Sequence, residues 1–293
     1  MKQAAIIIAV LGIGVWGFAQ NGFAQGNDKP AAQNAPAGQA AGQTSGQAAA
    51  PAGKRPPQAK TQDEFAAYKA AAALTDPAAQ EKAADDFAAK FPDSELRALL
   101  YRAVVASYQR ANDADKMLAT SQKLLTLDPD DPQALLGVAQ VLAERTRDTD
   151  LDKDQRLAEA RKDAQRALAT VDTDLPAGLT PEKVDVFKGY VRSEAYEILG
   201  TLDFTAKAWA DAEGNLRKSI DAYPQEVDPI AVFRLSVALD MQGKYPEAMK
   251  YANQAVGLTK EGTAAGKAAR DEKDRLTQLT GGGSSPAPTP PKN

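Results

Sequence analysis

Three stretches of this 293-residue chain set side chains at spacings that invite a chemical reading. Gly12-Ile13-Gly14-Val15-Trp16-Gly17 spells GxGxxG, the loop that brings a dinucleotide's pyrophosphate against backbone amides. That loop works only after a strand and inside a βαβ unit. Here it lies inside an apolar run, and its glycines belong to that run. Gly262-Thr263-Ala264-Ala265-Gly266-Lys267 approximates a phosphate loop, but it is one residue short, and Ala268 stands where a magnesium-binding hydroxyl is needed. With no strand before it, it reads as a helix start. The third stretch places Asp148, Asp150, Asp152, Asp154 and Glu159 at the oxygen-donating positions of a twelve-residue calcium loop. The template's sixth position needs glycine for a sharp turn and carries Lys153, a charge of the wrong sign, while its usually apolar eighth is Gln155. A solvated acidic loop capping the next helix accounts for the same residues, and calcium stays a weak alternative.

The absences narrow the chemistry further. The chain has no histidine and no cysteine. That removes Ser-His-Asp and Cys-His nucleophiles, the usual zinc and iron sites, and disulfides. No GxSxG, SxxK or HExxH occurs, and the carboxylate pairs are those of any charged helical surface. No catalytic residue, cofactor or metal ligand is therefore assigned, and an enzyme built on carboxylates alone is the least favoured class. Acidic residues number 39 against 35 basic ones, a formal charge of −4. Binding to a phosphate backbone needs a basic footprint, so nucleic acid is not expected as a partner.

The elements that must position any site begin after a targeting segment. Lys2 precedes an apolar run from Ala4 to Phe18, and small residues at the signal-peptidase positions follow in Gly17-Phe18-Ala19 and Gly22-Phe23-Ala24. The run falls short of the ~20 residues that span a bilayer comfortably. Residues 1–24 are expected to be a cleaved signal peptide, with an uncleaved membrane tether through residues 4–19 as the alternative. Both put the chain outside the cytoplasm, periplasmic or secreted in the first case and anchored in the inner membrane in the second. Residues 25–60, rich in Ala, Gln, Gly and Pro, bury too little to offset ordering entropy and read as a flexible linker. Residues 281–293 read as a tail of the same kind.

From 61 to 280 helical periodicity is continuous and strand signals are nearly absent. Alanine dominates the apolar fraction, which favours helices that approach closely. Proline-centred breaks recur at Phe91-Pro92-Asp93-Ser94, Leu127-Asp128-Pro129-Asp130 and Tyr223-Pro224, and Thr180-Pro181-Glu182 opens a long helix ending near Leu202. Tyr196, Leu199, Gly200, Ala212, Leu216, Ser219 and Pro224 then repeat in kind as Val232, Leu235, Ser236, Leu239, Gly243, Tyr245, Ala248, Ala252 and Ala255. A third copy runs through Tyr101, Val104, Tyr108, Leu124 and Pro129, with Met117 at a position otherwise small. Two looser copies lie near Phe65 to Pro92 and from Leu135 to Ala167, the latter with about nine extra residues between its helices. About twenty more, from Thr173 to Arg192, lengthen the helix entering the best copy. The charged, alanine-rich segment Glu261 to Leu279 suits a polar cap.

This pattern resembles the tetratricopeptide repeat family, although the tyrosine usual in the first helix is Asp203 in the best copy. The resemblance implies an all-α protein, a right-handed α-solenoid of tetratricopeptide-like helix pairs. One pair cannot bury its apolar face alone, so about three must stack, and five imperfect copies suffice. It also implies that the first helices line a concave face that takes up a peptide. Carried over slot by slot, that face comprises Arg102, Ala106, Gln109 and Arg110, then Gln133, Leu136, Gln140 and Ala143. Glu194, Glu197, Thr201 and Phe204 follow, then Ile230, Phe233, Val237 and Asp240. The Lys and Asn of the family's carboxylate clamp are missing. The expected function is a non-catalytic protein-binding scaffold outside the cytoplasm, serving envelope complex assembly, and the alternative is a self-associating, homo-oligomeric array with no separate client.

Overall fold

The computed structural model describes residues 56–176 and 179–281, so the targeting segment, most of the linker and the tail after Gly281 lie outside the described residues. Among the described residues there are eleven α-helices and no strand. They are α1 (Gln62–Ala72), α2 (Pro77–Lys90), α3 (Leu96–Ala111), α4 (Ala114–Leu127), α5 (Pro132–Arg145) and α6 (Lys153–Thr170). After these come α7 (Pro181–Thr205), α8 (Trp209–Ala222), α9 (Pro229–Asp240), α10 (Tyr245–Leu258) and α11 (Ala264–Gly281). None of them is long and apolar enough to cross a membrane.

The helix starts are chemically marked. Asp76, Asp131 and Asp228 each precede a proline at the first helical position, and each carboxylate accepts a backbone N–H of the opening turn. Thr61 and Asp113 cap α1 and α4 in the same way. These caps satisfy amides that have no partner inside the helix, each contributing about 1 kcal/mol. The ends of α3, α7 and α9 share one closure. The amides of Asp113, Ala208 and Lys244 donate five residues back to the carbonyls of Tyr108, Asp203 and Leu239, through a left-handed residue at Asn112, Lys207 and Gly243. The same turn written three times is the repeat seen in three dimensions.

Stacking follows a fixed order. Each first helix packs on its own second helix, and each second helix on the first helix of the next pair. In addition, consecutive first helices touch, α1 on α3, α3 on α5, α5 on α7, α7 on α9 and α9 on α11, with no comparable contact between two second helices. The first helices thus form the inner side of the stack. The cap α11 packs on α10 and α9, in the place of a further first helix.

Small residues stand where pairs cross. A β-carbon on Gly200 would lie 2.8 Å from Leu216 Cγ, closer than packed side chains come, so only glycine lets α7 and α8 meet at this height. In the following pair Ser236 takes the equivalent place, buried, its hydroxyl donating to Ala248 O at 2.9 Å. Ala212, Ala248, Ala252, Ala255, Ala160, Ala164 and Ala167 are all fully buried, and Leu124, Leu135, Leu216, Leu235 and Leu239 fill the space beside them.

Candidate peptide-binding groove

The inner side is built from α3, α5, α7 and α9, and there the expected peptide positions divide into two groups. Arg102, Ala106 and Gln109 of α3, Gln133, Leu136 and Gln140 of α5, and Glu194 of α7 line one hollow between the three helices. Val105, Met117, Gly137 and Tyr190 complete it. The enclosed space is about 20 Å³, room for one water molecule, so what the three helices present is a crease in a groove floor and not a small-molecule cavity.

The remaining positions, Glu197 apart, lie against or bond to other parts of the protein. Arg110 is exposed and donates to Ser107 Oγ, 2.6 Å away. Thr201 is buried and accepts from Arg234 Nη1 at 2.9 Å. Phe204 packs edge-on against Trp209 with centroids 5.4 Å apart. Phe233 is half-buried against the cluster of Val232, Ala255 and Ala269. Asp240 is buried and pairs with Arg275 of the cap, so α11 already occupies that end of the inner face. Ile230, Val237 and Ala143 are half-buried.

Electrostatics sharpen the picture. Arg102, at the groove's first end, is 13% exposed and donates through Nε to Asp131 Oδ2 at 2.8 Å. Its charge is spent on the aspartate that caps α5, and Asp128 stands 3.8 Å away. The opposite holds in the middle of the groove. Glu194 and Glu197 are half-buried on consecutive turns of α7, and neither makes a hydrogen bond or ion pair with another described residue. Burial, with Asp228, Glu144 and Glu226 adding negative charge, pushes the Glu194 carboxyl up to about 8. Glu197 is raised well above the ordinary carboxylate range by burial, Asp228 and Glu194, with Arg234 acting against the shift. Tyr190, one turn before Glu194, has its hydroxyl raised by burial and by Glu194. The inner face is therefore acidic in the middle, while at its first end Arg102 is paired with Asp131 and Arg110 stays exposed.

Tyr190, like Val105, Met117 and Gly137, lines the hollow but is absent from the carried-over positions. It lies in the extra turns by which α7 exceeds an ordinary repeat helix, yet Tyr190, Glu194, Glu197 and Thr201 follow a 4-3-4 spacing. Extending that stripe one turn backwards would have found it.

The other motifs resolve structurally. Asp154 and Glu159 lie inside α6, Asp148 pairs with Lys153 Nζ at 2.7 Å, and Asp150 accepts the amide of Arg147. The lysine at the template's glycine position thus ties up its first carboxylate. Among the described residues no group of three or more acidic side chains is arranged to hold a metal ion. Gly266 lies in the first turn of α11, where a β-carbon would meet Lys260 O at 2.0 Å, and Thr263 Oγ1 accepts its amide at 3.0 Å. The segment is a helix start. A wider cleft of about 510 Å³ lies where the turns before α3 and α5 meet the segment after α6. Its arginines, Arg97 and Arg102, are bonded to Ser94 O and Asp131.

No protein-family model matches the chain, and no curated protein matches it. Among solved structures it is similar to the crystal structure of PilW, a widely conserved type IV pilus biogenesis factor. The identity is 16% and the TM-score 0.38, over 71% of this chain and 98% of that one. Likeness of that order is too loose to bear on activity or partners.

Proposed function

We propose that this chain is a non-catalytic scaffold that holds a segment of another protein along the inner face of its first helices, outside the cytoplasm. The observation that carries the reading is the crease between α3, α5 and α7. Seven of the positions expected to meet a peptide converge there, beside polar groups that no neighbouring residue satisfies. A monomer gains nothing in stability from half-buried carboxylates and an unpaired amide oxygen, because polar groups taken from water without partners cost free energy. A bound segment would supply the partners. The apolar run of residues 4–18 supports export, and the linker 25–60 would let the helical region, 61–280, search a volume around an anchor if that run stays in the membrane. Membership of the tetratricopeptide family is part of this proposal, resting on the repeated turns and small-residue crossings.

Photo-crosslinking in the producing cell tests it. A benzophenone side chain replacing Gln140, in the crease, should capture a second protein; one replacing Gln122, exposed on the second helix α4, should capture none. Capture from position 122 alone, or only dimers of this chain from both positions, would reject the groove and favour a self-associating array.

A further inference from the structure

The groove's chemistry also states what kind of segment fits it. We propose that its partner presents a lysine or arginine side chain, seated among Gln133, Glu194 and Glu197, with small apolar residues on either side. This inference rests on the groove reading above and adds the partner's charge to it.

Two independent observations carry it. The first is an imbalance of donors and acceptors. Gln133 Oε1, on the wall of the crease, is wholly buried and has no hydrogen-bond partner. Glu194 and Glu197 likewise accept nothing from any described residue. An ammonium or guanidinium supplies several donors and no acceptor, so one such group can donate to an amide oxygen and to carboxylates together. The second observation is the charge of everything that faces the pair. The end of α5 contributes Glu144, the turn before α9 contributes Glu226 and Asp228, and α7 adds Tyr190. Against these stand two cations, Arg234 of α9, which donates to Thr201, and Arg102 of α3, which is bonded to Asp131. The middle of the inner face, around Glu194 and Glu197, thus favours a basic segment over an acidic one. The apolar wall formed by Leu136, Val105 and Met117 sets the character of the flanking contacts.

Proton linkage follows. An empty groove holds a proton on Glu194 at neutral pH, since its carboxyl titrates at about 8. A cation binds the deprotonated pair, and burial holds both carboxyls above the ordinary range, so affinity rises with pH through neutrality.

The test uses the full chain and two fluorescein-labelled fourteen-residue probes of alanine and leucine, one with lysine at every fourth position and the other with glutamate there. Fluorescence polarisation should show the lysine probe binding roughly tenfold tighter or more than its twin. E194Q/E197Q should abolish that preference, and with it the rise in affinity between pH 6 and 8. The double variant keeps the side-chain volume and replaces two carboxyls that no described residue pairs, so it should fold, which circular dichroism checks. Equal binding of the two probes, binding of neither, or a preference that survives E194Q/E197Q would each overturn the inference. So would lysine-probe binding that emerges only in K54Q/R55Q, which would make the chain's own linker the occupant. Crosslinks from position 140 in any of these cases would leave the groove reading standing and remove only the cationic partner.

Discussion

At the scale of single residues, departures from the repeat pattern have local causes. Asp203 stands where the pattern asks for tyrosine, and it is buried. Its carboxylate accepts from Arg161 Nη2 at 2.6 Å and Asn215 Nδ2 at 2.7 Å, tying α7 to the second helix before it and the one after it. Such a charge-assisted pair replaces the packing of an aromatic ring. Lys207 is a departure with a cost. It occupies the left-handed turn between α7 and α8 at φ 60°, where Gly243 serves the next pair at φ 73°. A residue with a β-carbon is disfavoured there by about 1 kcal/mol. The substitution K207G should therefore raise stability by roughly that amount in urea unfolding, since the turn's hydrogen bonds involve only backbone. No change, or a loss, would mean that the lysine side chain supports the turn in some other way.

At the scale of elements, the cap decides how the stack ends. Without α11 the last pair would expose the face on which Leu276 and Ala269, both fully buried, now rest. The rest of α11 is polar, as a terminal element must be for solubility. Burial pushes the Glu272 carboxyl up to about 7, while Arg275 bridges Glu272 and Asp240. Replacing Leu276 by alanine should cost about 2–4 kcal/mol, from lost transfer energy and the cavity left behind. Hydrogen exchange should speed up in α9, α10 and α11 first and leave α3 to α5 little changed, because in a stacked array each pair leans on its neighbours. Uniform acceleration along the whole chain would show a single cooperative unit instead.

The whole molecule should reveal its groove through pH. Glu194 titrates at about 8 in the folded chain, against 4.5 for a free glutamate, and Glu272 at about 7. In the window above 4.5 the folded state holds more protons than the unfolded chain at Glu194, Glu197 and Glu272, so stability falls as pH rises through neutrality. Carboxylates whose titration is lowered, such as Glu81, bonded to Tyr108 and Lys116, act oppositely, and only below that window. Urea midpoints measured from pH 5 to 8 should decline in the native chain and decline less in E194Q/E197Q. A flat native profile would contradict the buried acidic middle of the inner face.

Local signals along the chain are enough to place the helices and their order. Capping aspartates before proline, small residues at the crossings and the proline turns between pairs are local signals, and each acts through atoms a few residues away. Seven positions that line the crease, Arg102, Ala106, Gln109, Gln133, Leu136, Gln140 and Glu194, were legible too, because a repeat places equivalent slots on one side. Only the tertiary structure decided which of the groove's groups are free. Arg102 and Asp131 are 29 residues apart, and Asp240 and Arg275 come from different helices, so their pairing depends on how turns and cap fold back. Arg102 and Asp240 are thereby withdrawn from the groove, while Glu194 and Glu197 are left together without partners. Charge in a low-dielectric crease is a property of every neighbour at once, and no spacing along one helix encodes it.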